Sequence, residues 1–298
     1  ISPTLLGMGA YQINIIATTR IANDAGEGIV SSLQFSNRLE ELILGIFVVS
    51  LSTVILPELS SNAKKGEWES FNKNLVFGIK LTAMISIPAT VFTLLMREEI
   101  VSLLFRFGKF DDESVRLTSY ALMFHISGLF FIAVTRILFP AFFAQEDTVS
   151  PTIAGVASVI VNIVVALLLV DSMKGGGIAL ASTVSAFVSA LILVLLLRRG
   201  GKIDLKKIGE SLLYSVRFLI ISFVCIVPVY FLKDHIYKYF TRFSNVSALS
   251  RKIVAEFLPF SVVTAVFGVV LITILVVMKD ENAIYVFDKI VRRFKWKK

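Results

Sequence analysis

One cysteine, two histidines and two tryptophans among 298 residues leave several kinds of chemistry without their usual residues. The lone Cys225 has no partner for an intrachain disulfide, and it lies inside an apolar run, where it reads as a packing residue. His125 and His235 are far apart and neither has a cysteine nearby, so no metal-ligand spacing exists and no metal or other cofactor is implied. P-loop, GxSxG and HExxH patterns are absent, and no polar segment is long enough to hold a catalytic domain. The chain does not read as an enzyme. Charge is scarce too: 17% of residues are charged, where a soluble domain carries about a quarter.

Apolar residues make up 56% of the chain, and the mean hydropathy is +0.80. They come in blocks of about 20, the length a helix needs to cross the hydrocarbon core. The blocks do not alternate with period two, which excludes an outer-membrane barrel. The expectation is an all-α polytopic membrane protein with eight transmembrane helices, near residues 5–21, 34–56, 75–96, 117–143, 151–170, 178–197, 212–232 and 254–278. The chain opens ISPTLL, without Met or a signal peptide, and reads as a piece of a longer protein. After Leu197 the basic, glycine-containing stretch RRGGKIDLKKIGESL reads as a linker. The expected organisation is a six-helix lobe over residues 1–200, two additional helices over 201–279 and a basic tail over 280–298.

Lys and Arg in the flanks set orientation. Segments on the side where the chain starts carry fifteen of them and segments on the opposite side ten, the excess coming from the tail. This places the C-terminus in the cytoplasm. In the tail, Ile284, Phe287, Val291 and Phe294 share a helical face, and basic residues gather at the end, as in a helix lying on anionic lipid. The net charge of +8 fits such a lipid contact, and the sequence has no aromatic-rich basic patch of the kind that binds nucleic acid.

Polar residues inside spans are the functional candidates. Gln34, Arg38, Glu41 and Gly45 fall on one face of the second expected span, with Ser52 close to it. Arg38 and Glu41 are three apart and are expected to pair, while Glu40 is expected to point to the nearer interface. Arg38 is about 9 Å off the midplane at ~1.5 Å per residue, too deep for full hydration against lipid, and reads as facing a water-filled cavity that receives an anion. Thr118, His125 and Arg136 form a polar seam in the fourth span; His125 reads first as a hydrogen-bonded packing residue, and Arg136 reads equally as a cavity residue or a cytoplasmic anchor. Pro140 is expected to bend or end that span, and Pro88 to kink the third. Gly7, Tyr11, Asn14 and Thr18 line one face of the first span. Ala179, Ser182, Ala186 and Ser189 line one face of the sixth, with Gly175 to Gly177 as a flexible turn before it. In AQEDTVSPT, Thr148 or Ser150 is expected to cap the next helix, with Pro151 in its first turn.

Five stretches taken together resemble a family: QINIIATTRIAN, FSNRLEELILGIFVVSLSTVILPELS, LLFRFGKFDDES, RILFPAFFAQEDTVSPT and GGIALASTVSAFVSALILVLLLRRG. In order and spacing they look like the C-terminal half of the MurJ/MviN lipid II flippases, in the superfamily that includes the MATE exporters. The resemblance implies one six-helix lobe of a two-lobe transporter, followed by two helices forming a groove for a lipid tail. It also implies a missing N-terminal lobe as partner and a bacterial inner-membrane location. The implied cargo is undecaprenyl-pyrophosphate-linked peptidoglycan precursor, moved by alternating access with its headgroup in a cationic cavity.

The resemblance places Arg38 on the family's cavity arginine and Glu41 on its glutamate, with Asn37 where the family has Asp. It places Arg116 on a basic position at the far end of the fourth span, so Arg38, Glu41, Arg116 and Arg136 are the candidate substrate contacts. It sets Glu146 and Asp147 near an inner gate, a role that stands beside simple capping. Some members hold sodium, at positions matching Thr18, Asn162, Ala166 and Thr183. Without carboxylates at Thr18 and Ala166 such a site would bind weakly, and the coupling ion stays open. A related exporter of a drug or another polyprenyl-linked glycan, and a non-transporting scaffold, are the alternatives. A scaffold has no need of Arg38, and a pump for cationic drugs favours acidic residues.

Overall fold

The apolar runs fold into helices throughout the residues that the computed structural model describes, 2–45, 50–197, 204–242 and 253–284. In chain order these are α1 (Ser2–Ala25), α2 (Ile29–Leu44), α3 (Ser50–Lys65), α4 (Trp68–Phe105), α5 (Asp112–Ser127), α6 (Leu129–Phe143), α7 (Val149–Met173), α8 (Gly175–Leu197), α9 (Leu205–Thr241), a π-helical turn (Ile253–Phe257) and α10 (Leu258–Val277). Among the described residues, five helices are long and apolar enough to cross a membrane, or six if α5 and α6 count as one bent span. The protein is thus an all-helical polytopic membrane protein. Among the described residues the count falls short of the eight expected spans: α1 carries Gln12, Asn14, Thr18, Thr19 and Arg20, and the second expected span includes residues 46–49, which lie outside the described residues between α2 and α3.

α4 is the post around which the rest is arranged. Its 38 residues are helical throughout, Pro88 included. One buried cluster joins α4 to α3 and α6 through Leu59, Phe71, Leu75 and Ile137. A second joins it to α9 and α10 through Met96, Phe218, Cys225 and Phe267. A third joins it to α2, α5 and α6 through Leu39, Val101, Leu122 and Leu129. Cys225 is buried in the second cluster with a free thiol, as a packing residue. The two late helices therefore dock on the lobe. α9 is fastened near its start, where the Asp204 N–H donates to Asn72 Oδ1 at 3.0 Å, and near its end by an ion pair of Lys233 with Glu99. The expected boundary near Arg198 lies outside the described residues.

The fourth expected span breaks at Gly128, with a 46° bend between α5 and α6, and α6 ends at Phe143, within a turn of Pro140. A broken helix frees carbonyls, and in a membrane they need donors. Thr183 on α8 donates to the Phe124 carbonyl at 2.6 Å and Thr90 on α4 to that of Ile126 at 3.2 Å. Gly128 belongs at the bend because a methyl there would sit 2.7 Å from Thr183 Oγ1. At the start of α5, Asp111 accepts from the Ser114 N–H and hydroxyl, and those bonds hold its carboxyl below the ordinary range.

Gly175 to Gly177 are not a flexible turn. They are buried in the first turn of α8, where α7 and α8 approach closely. A methyl on Gly177 would lie 2.7 Å from the Leu169 carbonyl oxygen, a backbone atom that cannot step aside. Gly177→Ala is therefore expected to destabilise the protein by about 1–3 kcal/mol, as overpacking does. A thermal melt of the purified protein checks this, and an unchanged midpoint contradicts it.

Candidate functional site

α1, α2, α5 and α8 leave between them a cleft of about 210 Å3. α1 lines it with Tyr11, Asn14 and Thr18, which helical spacing stacks on one face. α2 contributes Gln34 and Asn37, α5 His125 and α8 Ser182. The polar residues alternate with apolar ones, Ile15, Ala22, Val30, Leu33 and Ile178, and among the described residues the lining carries no ionised group.

α2 separates two environments. Ile29, Ser32, Ser36, Leu39, Glu40 and Leu44 are buried. From Ser31 to Leu42 the exposed residues are Ser31, Gln34, Asn37, Arg38, Glu41 and Leu42, all polar but the last. α7 presents the opposite case: its exposed Ile153, Val156, Ile160, Val164, Leu167 and Leu168 are all apolar. Hydrocarbon suits the second face and not the first. Arg38 thus continues the face that lines the cleft, one turn beyond Gln34. Its guanidinium carbon lies 6.0 Å from the centroid of the Phe35 ring. Phe35 is packed in turn against Phe105 and Phe110, with ring centroids 4.7 and 5.2 Å away.

Several expectations change at this point. Arg38 and Glu41 form no ion pair among the described residues, although both sit on the exposed polar face. Glu40 does not point to the interface: it is 4% exposed, and its Oε1 has no hydrogen-bond partner. The charges that act on it are Glu41 and Arg136. Arg136 sits on α6, beyond the bend, so it does not extend a seam with Thr118 and His125, which are buried on α5. Arg136 is exposed on α6 and is not among the residues that line the cleft. Arg116 is exposed at the start of α5, where its Nε and Nη2 donate to Glu113 at 2.8 and 2.6 Å. It does not reach the cleft.

The candidate gate residues also have definite places. Asp147, not Thr148 or Ser150, caps α7: its carboxylate accepts from the Val149 and Ser150 N–H groups at 2.9 Å and from the Ser150 hydroxyl at 2.6 Å. Glu146 is exposed with a left-handed φ of 60°. The three candidate ion ligands each make hydrogen bonds within the protein. Thr18 lines the cleft and donates to the Asn14 carbonyl at 2.7 Å. Asn162 bonds Ser182 and Ser185 at 3.2 and 3.4 Å, leaving its Oδ1 unpartnered. Thr183 turns away to the α5 bend. Of the four tail residues expected to share a face only Ile284 is described; Phe287, Val291 and Phe294 lie outside the described residues. The tail leaves α10 through Asp280, which accepts from the Tyr214 hydroxyl at 2.9 Å and the Ala283 N–H at 3.0 Å.

Sequence reasoning missed the aromatic floor under Arg38 and the partner of His125. The floor was legible in part, since Phe35 precedes Arg38 by three residues. The Ser36–His125 hydrogen bond, 2.8 Å across 89 residues, left no local signal.

A family model described as Lipid II flippase MurJ matches residues 1–249. A protein of Treponema pallidum (strain Nichols) named "Probable lipid II flippase MurJ" is 34% identical over 282 residues, 94% of this chain and 52% of its own length. The chain spans about half the length of that relative. Among solved structures, "Lipid II flippase MurJ, inward closed conformation" superposes with a TM-score of 0.67 at 23% identity, over 92% of this chain and 54% of that one. An outward-facing multidrug resistance MATE family transporter of the MOP superfamily gives 0.59 at 14% identity, over 91% and 60%. These two likenesses show the fold.

The geometry assigns Thr183 to the helix bend rather than to an ion. Thr183→Val is expected to cost about 1 kcal/mol, the worth of one hydrogen bond, equally in sodium and in potassium buffer. Thermal melts in the two salts check this, and a loss confined to sodium contradicts it.

Proposed function

This chain belongs to the MurJ family of lipid II flippases, and we propose that it forms one lobe, with the lipid-tail helices, of a transporter that moves polyprenyl-pyrophosphate-linked peptidoglycan precursor across the bacterial inner membrane. Its relatives are named as flippases, that is, transporters and not enzymes. The observation that carries the reading is the exposed polar face of α2. An arginine on such a face, in a chain this apolar, calls for a hydrated cavity and an anionic ligand. A pyrophosphate suits it: the guanidinium offers paired donors, and their strength rises where water is scarce.

In this reading the polar face of α2 and the cleft beside it look toward a second lobe, with headgroup access alternating between the two membrane faces. The eight crossings are the five apolar helices, the bent α5–α6 pair, α1 and the α2–α3 pair, the last two tolerated because their polar sides line the cavity. α9 and α10 supply the surface for the lipid tail: Leu213, Ile220, Phe223, Val227 and Phe231 on α9 are exposed and apolar. The C-terminus lies in the cytoplasm, where the basic tail meets anionic lipid. Glu146, at the start of the α6–α7 connection, is the residue of the pair left for a gate, since Asp147 is committed to its cap. A pump for cationic drugs is disfavoured because no carboxylate lines the cleft among the described residues.

Arg38→Ala in the full-length protein is expected to abolish rescue of a bacterium depleted of its own flippase, with membrane levels unchanged. Arg38→Lys keeps the charge but loses the paired donors and is expected to rescue partially. Growth of the depleted strain, with immunoblots of the membrane fraction, checks both. Full rescue by Arg38→Ala contradicts the reading.

A further inference from the structure

The cleft beside Arg38 is built for a ligand of different chemistry from a phosphate. His125 is 5% exposed, and its Nδ1 lies 2.8 Å from Ser36 Oγ. The Ser36 hydroxyl donates to the Leu33 carbonyl at 3.0 Å, so its single hydrogen is used. Nδ1 must then be the donor to Ser36, which puts the ring proton on Nδ1 and leaves Nε2 with a free lone pair. Nε2 has no partner among the described residues, and His125 lines the cleft. The wall thus presents an acceptor suited to an incoming O–H or N–H.

The surroundings narrow the ligand class. Asn14, Gln34 and Asn37 bring amides that both donate and accept, Ser182 a hydroxyl, and Tyr11 an aromatic ring that is 58% exposed. A metal cation would find no carboxylate here and a phosphate no cation. An apolar ligand would strand the amides. A cavity of about 150 Å3 holds a benzene ring, so one of about 210 Å3 accepts a substituted six-membered ring. Neutral amides, an imidazole acceptor and an aromatic face together match a pyranose, with hydroxyl and acetamido groups at its edge and C–H groups on its faces.

We propose that this cleft is a glycan subsite, which takes a neutral, hydroxyl- and amide-bearing sugar ring with His125 Nε2 accepting one of its protons. The subsite rests on the reading of Arg38 as the phosphate contact. Gln34 and Arg38 are four residues apart on α2, about 6 Å along the axis, so a ring in the cleft and a phosphate on Arg38 are neighbours. That is the spacing of a sugar joined directly to its phosphate.

Two lipids separate the two readings: undecaprenyl pyrophosphate, and the same lipid carrying an N-acetylated sugar. Their binding is measured to the full-length protein in nanodiscs. His125→Phe keeps a ring and removes the acceptor. It is expected to weaken the sugar-bearing lipid about tenfold, as one lost hydrogen bond to a buried group does, and to leave the bare lipid unchanged. Gln34→Leu, on the exposed face of α2, is expected to show the same selectivity and carries the test if His125→Phe does not fold. Arg38→Ala is expected to weaken both lipids. Equal loss for both lipids, or no loss, in the His125 and Gln34 variants overturns the glycan subsite. Unchanged binding of both lipids by Arg38→Ala overturns the phosphate reading instead.

Discussion

A hydrogen-bonding side chain at membrane depth must meet protein or water, because hydrocarbon offers it nothing. Much of this structure follows from where that rule bites. Between their polar ends α7, from Ile153 to Leu168, and α9, from Leu212 to Leu232, expose apolar side chains and are at home against acyl chains. α2 cannot be: Gln34, Asn37, Arg38 and Glu41 crowd its open side while its other side is packed into the core. α1 offers Tyr11, Asn14 and Thr18 to the same space. The cleft is the consequence. Two helices, neither apolar enough to count as a span by itself, turn polar side chains to one cleft.

The frame that holds this face is rigid by construction. α4 passes through three buried clusters and fixes α2, α6 and α9 relative to one another. The bend between α5 and α6 is made safe by two threonine hydroxyls from neighbouring helices and by the missing side chain of Gly128. Arg38 itself rests on Phe35, with Phe105 and Phe110 beneath, so the end of α4 and the loop after it support the Arg38 side chain. Such a floor limits how far the guanidinium wanders and lowers the cost of ordering it on binding.

Hydropathy and helical spacing made the class, most of the helices and the Arg38 face legible. They did so because burial in lipid constrains composition strongly and a helix repeats its faces regularly. What stayed hidden was set by tertiary contact. The bend at Gly128 depends on Thr183 and Thr90, which lie on other helices. Glu40 reads locally as an interfacial charge, and only the packing of its helix buries it. Thr183 reads as a candidate ligand until its hydroxyl is seen on the Phe124 carbonyl. Gly175 to Gly177 look like a hinge in sequence and are contact points in space. In each case one spacing along the chain fits two roles, and the neighbouring helix decides between them.

The central claim is that the open side of α2 meets water inside the membrane. The single, buried Cys225 makes a direct measurement practical: in a Cys225→Ala background, single cysteines are placed at Asn37 and Arg38 and, for comparison, at Val164 and Leu167 on α7. A charged thiol reagent is then applied to the full-length protein in its membrane. The account predicts rapid labelling of the Asn37→Cys and Arg38→Cys proteins and none at the two α7 positions. Equal labelling of all four, or protection of the α2 pair, would contradict it.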